Sequence, residues 1–214
     1  MNKELNNNKY WESFYSKHIF KLDLQKPSDF ANFCLLFIKD KNINSLIEFG
    51  CGNGRDTNFF LKKKIKVLAF DKCINAINCT KQNCDKFNNF QSYVLDVFTD
   101  KFEDLVVDLS PKAIYARFLL HSMRDEEIEI FIKKCSSSMS LDDLLFFEYR
   151  TIKDEKRKKE TDKHYRNYLN PNNIIRITKK LNLDCVFHTE GTGLAIWNSD
   201  DAYVSRQIFK KSKK

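Results

Sequence analysis

The amino-acid sequence predicts an α/β fold in which a parallel sheet carries helices on both faces. Three observations lead to this prediction. Short apolar segments alternate along the chain with segments of helical periodicity, a glycine-rich turn follows the first apolar segment, and an acidic residue follows each of the next two. Such alternation implies parallel strands joined by right-handed crossovers. A chain of 214 residues fits a single domain.

The strands are predicted from short apolar runs bounded by polar or turn residues. They are, in order, Ser45 to Phe49, Lys66 to Phe70, Phe90 to Leu95, Ala113 to Arg117, Leu144 to Tyr149, Leu183 to His188 and Ala202 to Phe209. The last two flank a turn at Gly191-Thr192-Gly193, so we expect them to be the final strands of the sheet.

The helices are predicted where apolar residues recur at helical spacing. They cover Asn8 to Phe20, Asp29 to Asp40, Thr57 to Lys63, Cys73 to Lys86, Asp125 to Met139 and Pro171 to Lys180. Prolines near the start of the second and last helices suit the first helical turn. The segment from Thr151 to Asp162 is almost entirely charged, which predicts an exposed loop or a mobile helix.

The composition limits the possible partners. A formal charge of +8 favours anionic partners, although a lysine-rich chain with a solvated surface is the alternative explanation. Seven cysteines without a C-x-x-C pair indicate structural thiols in a reducing cytoplasm, and no metal site is expected. No apolar run reaches the roughly 20 residues of a membrane helix, and no secretory signal is visible. We therefore expect a cytoplasmic protein without membrane insertion.

The glycines are concentrated in one place, because three of the five lie in Gly50-Cys51-Gly52-Asn53-Gly54. A strand that runs through glycines into a helix brings backbone close to a ligand beside a helix N-terminus. The spacing is G-x-G-x-G, with Arg55 where the dinucleotide fingerprint continues before its third glycine. Glu48 stands just ahead of the glycines, where its charge would repel a phosphate.

Acidic residues follow the second and third predicted strands. Asp71 lies about 20 residues beyond the glycines, where a carboxylate can accept both hydroxyls of an adenosine ribose. Asp96 follows the third strand. The alternatives are that Asp71 only caps the helix that opens at Lys72-Cys73, and that Glu48 only braces the glycine loop.

This combination resembles the cofactor-binding motifs of the class I S-adenosylmethionine-dependent methyltransferases. The resemblance covers about Asn44 to Phe209 and implies a Rossmann-like fold with seven mostly parallel strands and a final antiparallel pair. It implies an enzyme that uses S-adenosylmethionine and releases S-adenosylhomocysteine. Asp96 would then meet the adenine amino group, with the Val97 backbone beside the ring. Glu48 would face the ammonium of the methionine moiety, and Arg55 its carboxylate.

The N-terminal aromatic segment, the Pro27-Ser28 helix start and the glycine loop together resemble a narrower bacterial group, many of whose members are associated with cell-surface polysaccharide synthesis. In that group an N-terminal aromatic helix often covers the cofactor. The resemblance implies an N-terminal helical cap at 1–42 and a methyltransferase domain at 43–214, forming one structural unit. The residues expected at the cofactor are Trp11, Tyr15, Glu48, Gly50, Cys51, Gly52, Gly54, Arg55, Asp71, Lys72, Asp96, Val97 and Arg117.

Candidate catalytic residues follow the fourth predicted strand, because ligands bind at the carboxyl ends of strands in open α/β sheets. Methyl transfer needs an acceptor roughly 3 Å from the methyl carbon and a site without water. His121 is the candidate general base, since its usual pKa lies near neutrality. The alternative is a histidine that bonds backbone at the turn. Arg117 would hold a cofactor or substrate carboxylate, or else pair with Glu148.

Further candidates lie on the fifth strand and beyond it. Arg150 would bind a phosphate or carboxylate, and Glu148 would orient it. The His164-Tyr165-Arg166 cluster is predicted to form part of a lid that contacts substrate, with a solvated loop as the alternative. If Arg117, Arg150 and Arg166 converge on one cleft, they favour an anionic acceptor such as a nucleotide-linked sugar or a phosphorylated intermediate.

The sequence lacks the motifs of several other classes of methyltransferase. No Asn-Pro-Pro-Tyr or Asp-Pro-Pro-Tyr turn follows the fourth strand, and no Pro-Cys nucleophile is present, which disfavours methylation of exocyclic amines and of cytosine C5. The leading hypothesis is O-methylation of a small anionic acceptor, either a sugar or a sugar-linked phosphoryl group, by a monomer or small homo-oligomer. The alternatives are an RNA or protein methyltransferase, a non-catalytic cofactor-binding partner subunit, and a nicotinamide oxidoreductase. Methylation of nitrogen instead of oxygen stays open.

Overall fold

The computed structural model describes residues 3–18, 26–106, 109, 111–161 and 164–213, and its strands closely follow the predicted segments. The strands are β1 (Ser45–Phe49), β2 (Lys66–Asp71), β3 (Phe90–Val94), β4 (Lys112–Arg117), β5 (Leu144–Arg150), β6 (Leu183–Gly191), β7 (Ile196–Trp197), β8 (Asp200–Asp201) and β9 (Val204–Lys211). Seven of them form one sheet in the order β3-β2-β1-β4-β5-β9-β6. β1 to β5 pair in parallel, and β9 runs antiparallel to both of its neighbours. The expected seven-stranded, mostly parallel sheet is therefore confirmed.

The helices alternate with the strands of this sheet. They are α1 (Lys3–His18), α2 (Asp29–Asp40), α3 (Arg55–Lys62), α4 (Ile74–Cys84), α5 (Glu103–Val106), α6 (Asp125–Ser138) and α7 (Pro171–Lys180), with 3₁₀ turns at Leu120–Ser122 and Ile152–Asp154. Local chemistry sets several of their boundaries. The Ser28 hydroxyl accepts the Ala31 N–H at 3.0 Å and caps α2, and Pro171 occupies the first turn of α7.

Two apolar cores lie on opposite faces of the sheet. α2, α3 and α4 cover one face, where Phe30, Phe60 and Ile77 are buried against the strands. α6 and α7 cover the other, where Phe131 is fully buried, with its ring centroid 5.2 Å from that of Phe49 on β1. Because both faces are covered, β1 and β5 are buried along their whole length and have mostly apolar sequences, interrupted by the paired acids Glu48 and Glu148.

Three features differ from the sequence prediction. The helix α5 and the β7–β8 hairpin were not predicted, because two- and four-residue elements leave no periodic signal. The last strand runs to Lys211, beyond the predicted end at Phe209. The charged segment after β5 begins with a 3₁₀ turn, tied down by an ion pair of 2.7 Å between Arg150 and Asp154. Phe20 and Asp162, at the ends of two predicted segments, lie outside the described residues.

No helix in the described ranges combines the length and apolar character that crossing a membrane requires.

Replacing Phe131 by alanine tests the core between α6 and the sheet. We expect the free energy of unfolding to fall by about 3–5 kcal/mol, because the lost ring leaves a cavity between two packed layers. The matched control is Ile130→Ala on the same helix, since Ile130 is 44% exposed and should change stability by about 0.5 kcal/mol or less. Urea unfolding measures both, and equal losses would contradict the packing described here.

Candidate functional site

A cavity of about 560 Å³ opens at the carboxyl ends of β1, β2, β3 and β4. β1 lies between β2 and β4, so the chain order reverses at this point and leaves a crevice above the strand ends. The glycine loop forms its floor, α1 forms its roof, and Tyr165 contributes to its wall. A cavity of this size is typical of a small-molecule site.

The glycine loop needs glycine because its backbone is left-handed. Gly50, Gly52 and Gly54 have φ values of 73°, 59° and 78°. A Cβ on Gly54 would lie 3.0 Å from the backbone Cα of Thr80 on α4, and a Cβ on Gly52 would lie 2.5 Å from the Tyr15 hydroxyl. The loop therefore packs tightly against α4 on one side and against α1 on the other.

The Asp71 carboxylate joins the end of β2 to the glycine loop. It accepts the Gly52 N–H at 3.0 Å and the Cys73 N–H at 2.9 Å, and it lines the cavity. Burial raises the pKa of Asp71 to about 6, against the opposing effect of these two hydrogen bonds. Asp71 therefore braces the turn and also presents a carboxylate to a ligand. The N-cap of α4 itself is Cys73.

Glu48 is a buried acid beneath the glycine loop. It is 3% exposed, and the Thr57 hydroxyl donates to its carboxylate at 2.5 Å. Burial, reinforced by the negative charge of Asp56, raises the pKa of Glu48 to about 8. A cationic group in the cavity would stabilise the ionised form and lower this pKa.

In contrast to Glu48, Asp56 lies in an environment that favours its ionised form. It accepts hydrogen bonds from the Ser28 N–H at 2.8 Å, the Ser28 hydroxyl at 2.7 Å and the Tyr115 hydroxyl at 2.8 Å. Burial alone would raise its pKa, but Arg55, Arg117 and the Ser28 hydrogen bonds bring the pKa of Asp56 below its usual value. This ionised acid ties the start of α2 to the start of α3.

The Asp96 carboxylate pairs with the Lys72 ammonium at 2.6 Å and accepts the Phe98 N–H at 3.0 Å. Lys72, Asp96, Val97 and Phe98 all line the cavity. The ends of β2 and β3 therefore form one polar wall with an apolar neighbour.

The helix α1 lies over the cavity with one face. Asn8, Trp11, Glu12 and Tyr15, spaced three and four residues apart, line it. The Glu12 carboxylate accepts N–H groups at the start of α4, from Ile74 at 3.0 Å and Asn75 at 3.4 Å. Glu12 therefore caps α4 and attaches the roof of the cavity to the turn that carries Asp71.

Of the three arginines that were predicted to converge, Arg117, at the end of β4, lines the cavity. Its Nε donates to Glu148 at 2.8 Å, and the other Glu148 oxygen accepts from Arg206 Nε at 2.7 Å. Glu148 thus pairs with Arg117, as the alternative interpretation proposed, and does not orient Arg150. Within the described residues, the two terminal nitrogens of Arg117 have no hydrogen-bond partner. They remain available to a ligand.

Phe118 follows Arg117 with φ of 55°, a left-handed backbone that is rare for a bulky residue. Its N–H donates to the Glu148 carbonyl at 2.8 Å. Its ring centroid lies 4.4 Å from the Arg117 guanidinium carbon and 5.5 Å from that of Arg150. The ring therefore separates Arg117 on the cavity side from the ion pairs of Arg150.

His121 lies behind the cavity wall. It is 4% exposed, and its Nδ1 accepts the Arg150 N–H at 3.4 Å. Burial lowers the pKa of His121 well below its usual value, and the charge of Arg150 lowers it further. This geometry matches the backbone-bonding alternative, while its neighbour Ser122 reaches the cavity.

The three predicted arginines do not converge. Arg150 donates to Asp154 at 2.7 Å and to Asp200 at 2.6 Å, so its charge is neutralised away from the cavity. Arg166 donates to the side chain of Thr161. Arg117 therefore stands apart from both, because the carboxylates after β5 and on β8 hold Arg150.

The predicted lid cluster divides between two positions. Tyr165 lines the cavity. The His164 ring stacks on Tyr10 of α1 at 4.4 Å between centroids and lies edge-on to Trp11 at 5.1 Å. The segment after β5 therefore contacts the roof, which closes the cavity between α1 and Tyr165.

Sequence reasoning missed several cavity residues. Asn8 and Glu12 were detectable, since they lie one helical turn from Trp11 and Tyr15. Phe118, Arg124 and Glu127 also line the cavity, and their positions in the sequence showed no distinguishing pattern.

The comparison with protein families identifies one that covers most of the chain. The family described as a methyltransferase domain matches residues 15–189. No curated protein matches the chain in sequence.

Solved structures share the fold at low sequence identity. The chain is similar to a magnesium protoporphyrin IX methyltransferase from Synechocystis PCC 6803 with bound S-adenosylhomocysteine (TM-score 0.71, 12% identity, covering 99% of this chain and 100% of that one). It is similar to the N-methyltransferase NodS from Bradyrhizobium japonicum WM9 (TM-score 0.70, 12% identity, 95% and 100% covered). A methyltransferase from Anabaena variabilis gives a TM-score of 0.69 at 15% identity, with 95% and 94% covered.

Alanine at Gly54 and at Gly52 should have different effects on stability. Both substitutions force alanine into a left-handed backbone, at a cost of about 1–2 kcal/mol. Gly54→Ala should cost more, because its Cβ meets the backbone of α4 at 3.0 Å, whereas Gly52→Ala meets the movable Tyr15 side chain. Urea unfolding measures the stability of both variants. Equal losses, or a larger loss for Gly52→Ala, would contradict the packing of the loop against α4.

Proposed function

The chain belongs to the methyltransferase-domain family, and we propose that it transfers the methyl group of S-adenosylmethionine to an oxygen of a small anionic acceptor. Family membership makes it an enzyme with S-adenosylmethionine as cofactor and S-adenosylhomocysteine as product. The acceptor class that we propose is a sugar, or a phosphoryl group attached to a sugar, in cell-surface polysaccharide synthesis. The available guanidinium of Arg117 in the cavity is the observation that carries the anionic part of this proposal.

The adenosine half of the cofactor fits the strand ends. Asp71 offers a carboxylate that two backbone N–H groups already orient, which suits a pair of ribose hydroxyls. Asp96 and Val97 supply a polar and an apolar group for the adenine. Lys72, paired with Asp96, fixes the carboxylate on this wall. A Cβ at Gly52 would lie 2.5 Å from the Tyr15 hydroxyl, so the absence of a side chain lets the loop approach the roof this closely.

The methionine half fits the other end of the glycine loop. Glu48, buried with a pKa raised to about 8, gains a compensating charge when an ammonium lies near it. Arg55, which lines the cavity and lies 3.5 Å from the Asp56 carboxylate, offers a cation to the cofactor carboxylate. When bound, the cofactor supplies a methyl group on a positively charged sulfur, open to in-line attack.

The roof excludes water and bulky acceptors. Trp11 and Tyr15 of α1 cover the cofactor in this proposal, so α1 is the cap, whereas α2 packs into the core. Methyl transfer benefits from a closed site, because water would compete for the methyl group. A roofed cavity favours a small acceptor over a folded protein or a structured RNA.

The acceptor oxygen that best suits this cavity is already ionised. His121 lies behind the wall, and its lowered pKa makes it a poor proton acceptor. A phosphoryl or carboxylate oxygen carries its negative charge at neutral pH and needs no general base. Arg117, together with Arg124 at the cavity rim, would hold such a group. A sugar hydroxyl would need Glu127 or another cavity residue to take its proton.

Labelling of an extract tests the acceptor class. The purified protein is incubated with S-adenosylmethionine labelled on the methyl group and with a size-fractionated extract. We expect the label in low-mass or glycan fractions; a methyl ester of a carboxylate would lose the label in mild base, whereas a methyl phosphate ester or a methylated sugar hydroxyl would keep it. Label in RNA or protein would support those alternatives. Cofactor binding without transfer to any fraction would support a non-catalytic partner subunit.

The pH dependence of cofactor binding should separate Asp71 from Glu48. The ionised form of Asp71 accepts both ribose hydroxyls, so affinity for S-adenosylhomocysteine should fall as the pH drops through about 6, in addition to the loss caused by protonation of Glu48 below its pKa of about 8. Calorimetric titration between about pH 5 and 9 measures both changes. Asp71→Asn should bind roughly 10–100-fold more weakly near neutral pH, since a charged hydrogen bond is lost, and should lack the change near pH 6. An unaltered profile in Asp71→Asn would contradict the role of Asp71.

Arg117→Gln should weaken acceptor binding and spare the cofactor. The apparent KM for the acceptor in the low-mass fraction should rise at least about tenfold, because a charge-assisted hydrogen bond to the anion is lost. The Kd for S-adenosylhomocysteine should stay within about twofold. Arg150→Gln is the matched control, and it should lower stability because Asp154 and Asp200 lose their partner. A weaker cofactor Kd with unchanged KM would assign Arg117 to the cofactor carboxylate.

A further inference from the structure

The excess positive charge of the chain is concentrated at the edge of the sheet opposite the cavity. Parallel strands begin at this edge, and the antiparallel β9 ends there, as the register of Leu144 with Lys210 and of Leu183 with Lys211 shows. Lysines cluster on the turn from α3 into β2, at the ends of α2 and α7, and at the end of β9, where Lys213 follows. Among the described residues, exposed aspartates at the same edge are fewer, namely Asp40, Asp85, Asp142 and Asp184.

Helix ends explain only part of this charge. Lysines in the last turn of α2, α3 and α7 complement the negative ends of helix dipoles. Lys64, Lys66, Lys210 and Lys213 lie outside the helices, on strand starts and ends, and are exposed. About 20 Å of sheet width separates Lys66 on β2 from Lys210 on β9, since neighbouring strands lie about 4.8 Å apart. The charge therefore forms a broad surface.

Two leucines protrude at the same edge. Leu141, in the turn between α6 and β5, is 53% exposed, and Leu36, one turn before the end of α2, is 67% exposed. Phe59 and Phe87 near this edge have their rings covered by the ammonium groups of Lys63 and Lys86. Exposed leucines among lysines fit the boundary between lipid headgroups and acyl chains. Covered rings offer no stacking surface to nucleic-acid bases.

We infer that this edge, carrying Lys62 to Lys66, Lys210 to Lys213, Leu36 and Leu141, is a docking surface for an anionic lipid membrane. Lysines suit this partner because a headgroup layer needs distributed point charges, each contributing about a fivefold gain in binding. The cavity opens at the opposite edge, so docking leaves it facing solution. This inference does not depend on the identity of the methyl acceptor.

Sedimentation with vesicles tests the inference on the full chain. The protein should partition onto phosphatidylcholine vesicles that contain about one third phosphatidylglycerol, remain free with phosphatidylcholine alone, and be released by high salt. Replacing Lys62, Lys64 and Lys66 by glutamine should weaken partition about a hundredfold. The control replaces Lys153, Lys156 and Lys158, after β5 at the cavity edge, by glutamine. It removes the same charge and should change partition by less than about threefold.

Two further measurements separate lipid binding from general affinity for anions. Leu36→Ser combined with Leu141→Ser should weaken partition onto the anionic vesicles and leave binding to an RNA hairpin unchanged. If the first lysine variant does not fold, replacing Lys210 and Lys213 by glutamine should weaken partition about 25-fold. The inference is overturned if both lysine sets weaken partition equally, if neutral vesicles bind as well, or if the leucine variant partitions normally.

Discussion

The hydrogen bond from the Gly52 N–H to the Asp71 carboxylate connects the two strand ends on which the cavity is built. β1 and β2 pair in parallel, so their carboxyl ends meet at the same edge, and this bond fixes the glycine loop relative to the end of β2. The same carboxylate holds the start of α4 through Cys73, and Glu12 caps that start from above. Floor, wall and roof of the cavity therefore share one anchoring point.

Most of the buried charged side chains around the cavity are paired with side chains of opposite charge. Glu148 lies fully buried between Arg117 and Arg206, and Arg150 lies between Asp154 and Asp200. Buried ions are tolerated when opposite charges and hydrogen bonds compensate them. Arg117 differs from the other two arginines because Glu148 occupies one of its nitrogens and the terminal ones stay available. The proposed anion site thus depends on Glu148 being shared between two arginines.

The fold and the cavity residues at the ends of β1, β2 and β3 were predictable from sequence, because strands buried on both faces leave mostly apolar runs and left-handed turns select glycine. Gly50 to Asn53, Asp71 and Asp96 line one cavity at the ends of β1, β2 and β3, whereas Gly54 packs against Thr80 of α4. The acceptor side was less predictable. Arg150 and His121 follow strand ends like Arg117, yet Asp200 and the Phe118 ring keep Arg150 away from the cavity. Those contacts join residues far apart in sequence, and spacing alone carries no signal for them.

The cap that Glu12 places on α4 has a consequence for the mobility of the roof. Movement of α1 away from the cavity uncovers the N–H groups of Ile74 and Asn75 and the Glu12 carboxylate, all of which water must then hydrate. Opening of the roof is therefore opposed by a carboxylate–helix contact at the start of α4, while Arg117 at the end of β4 takes no part in that contact.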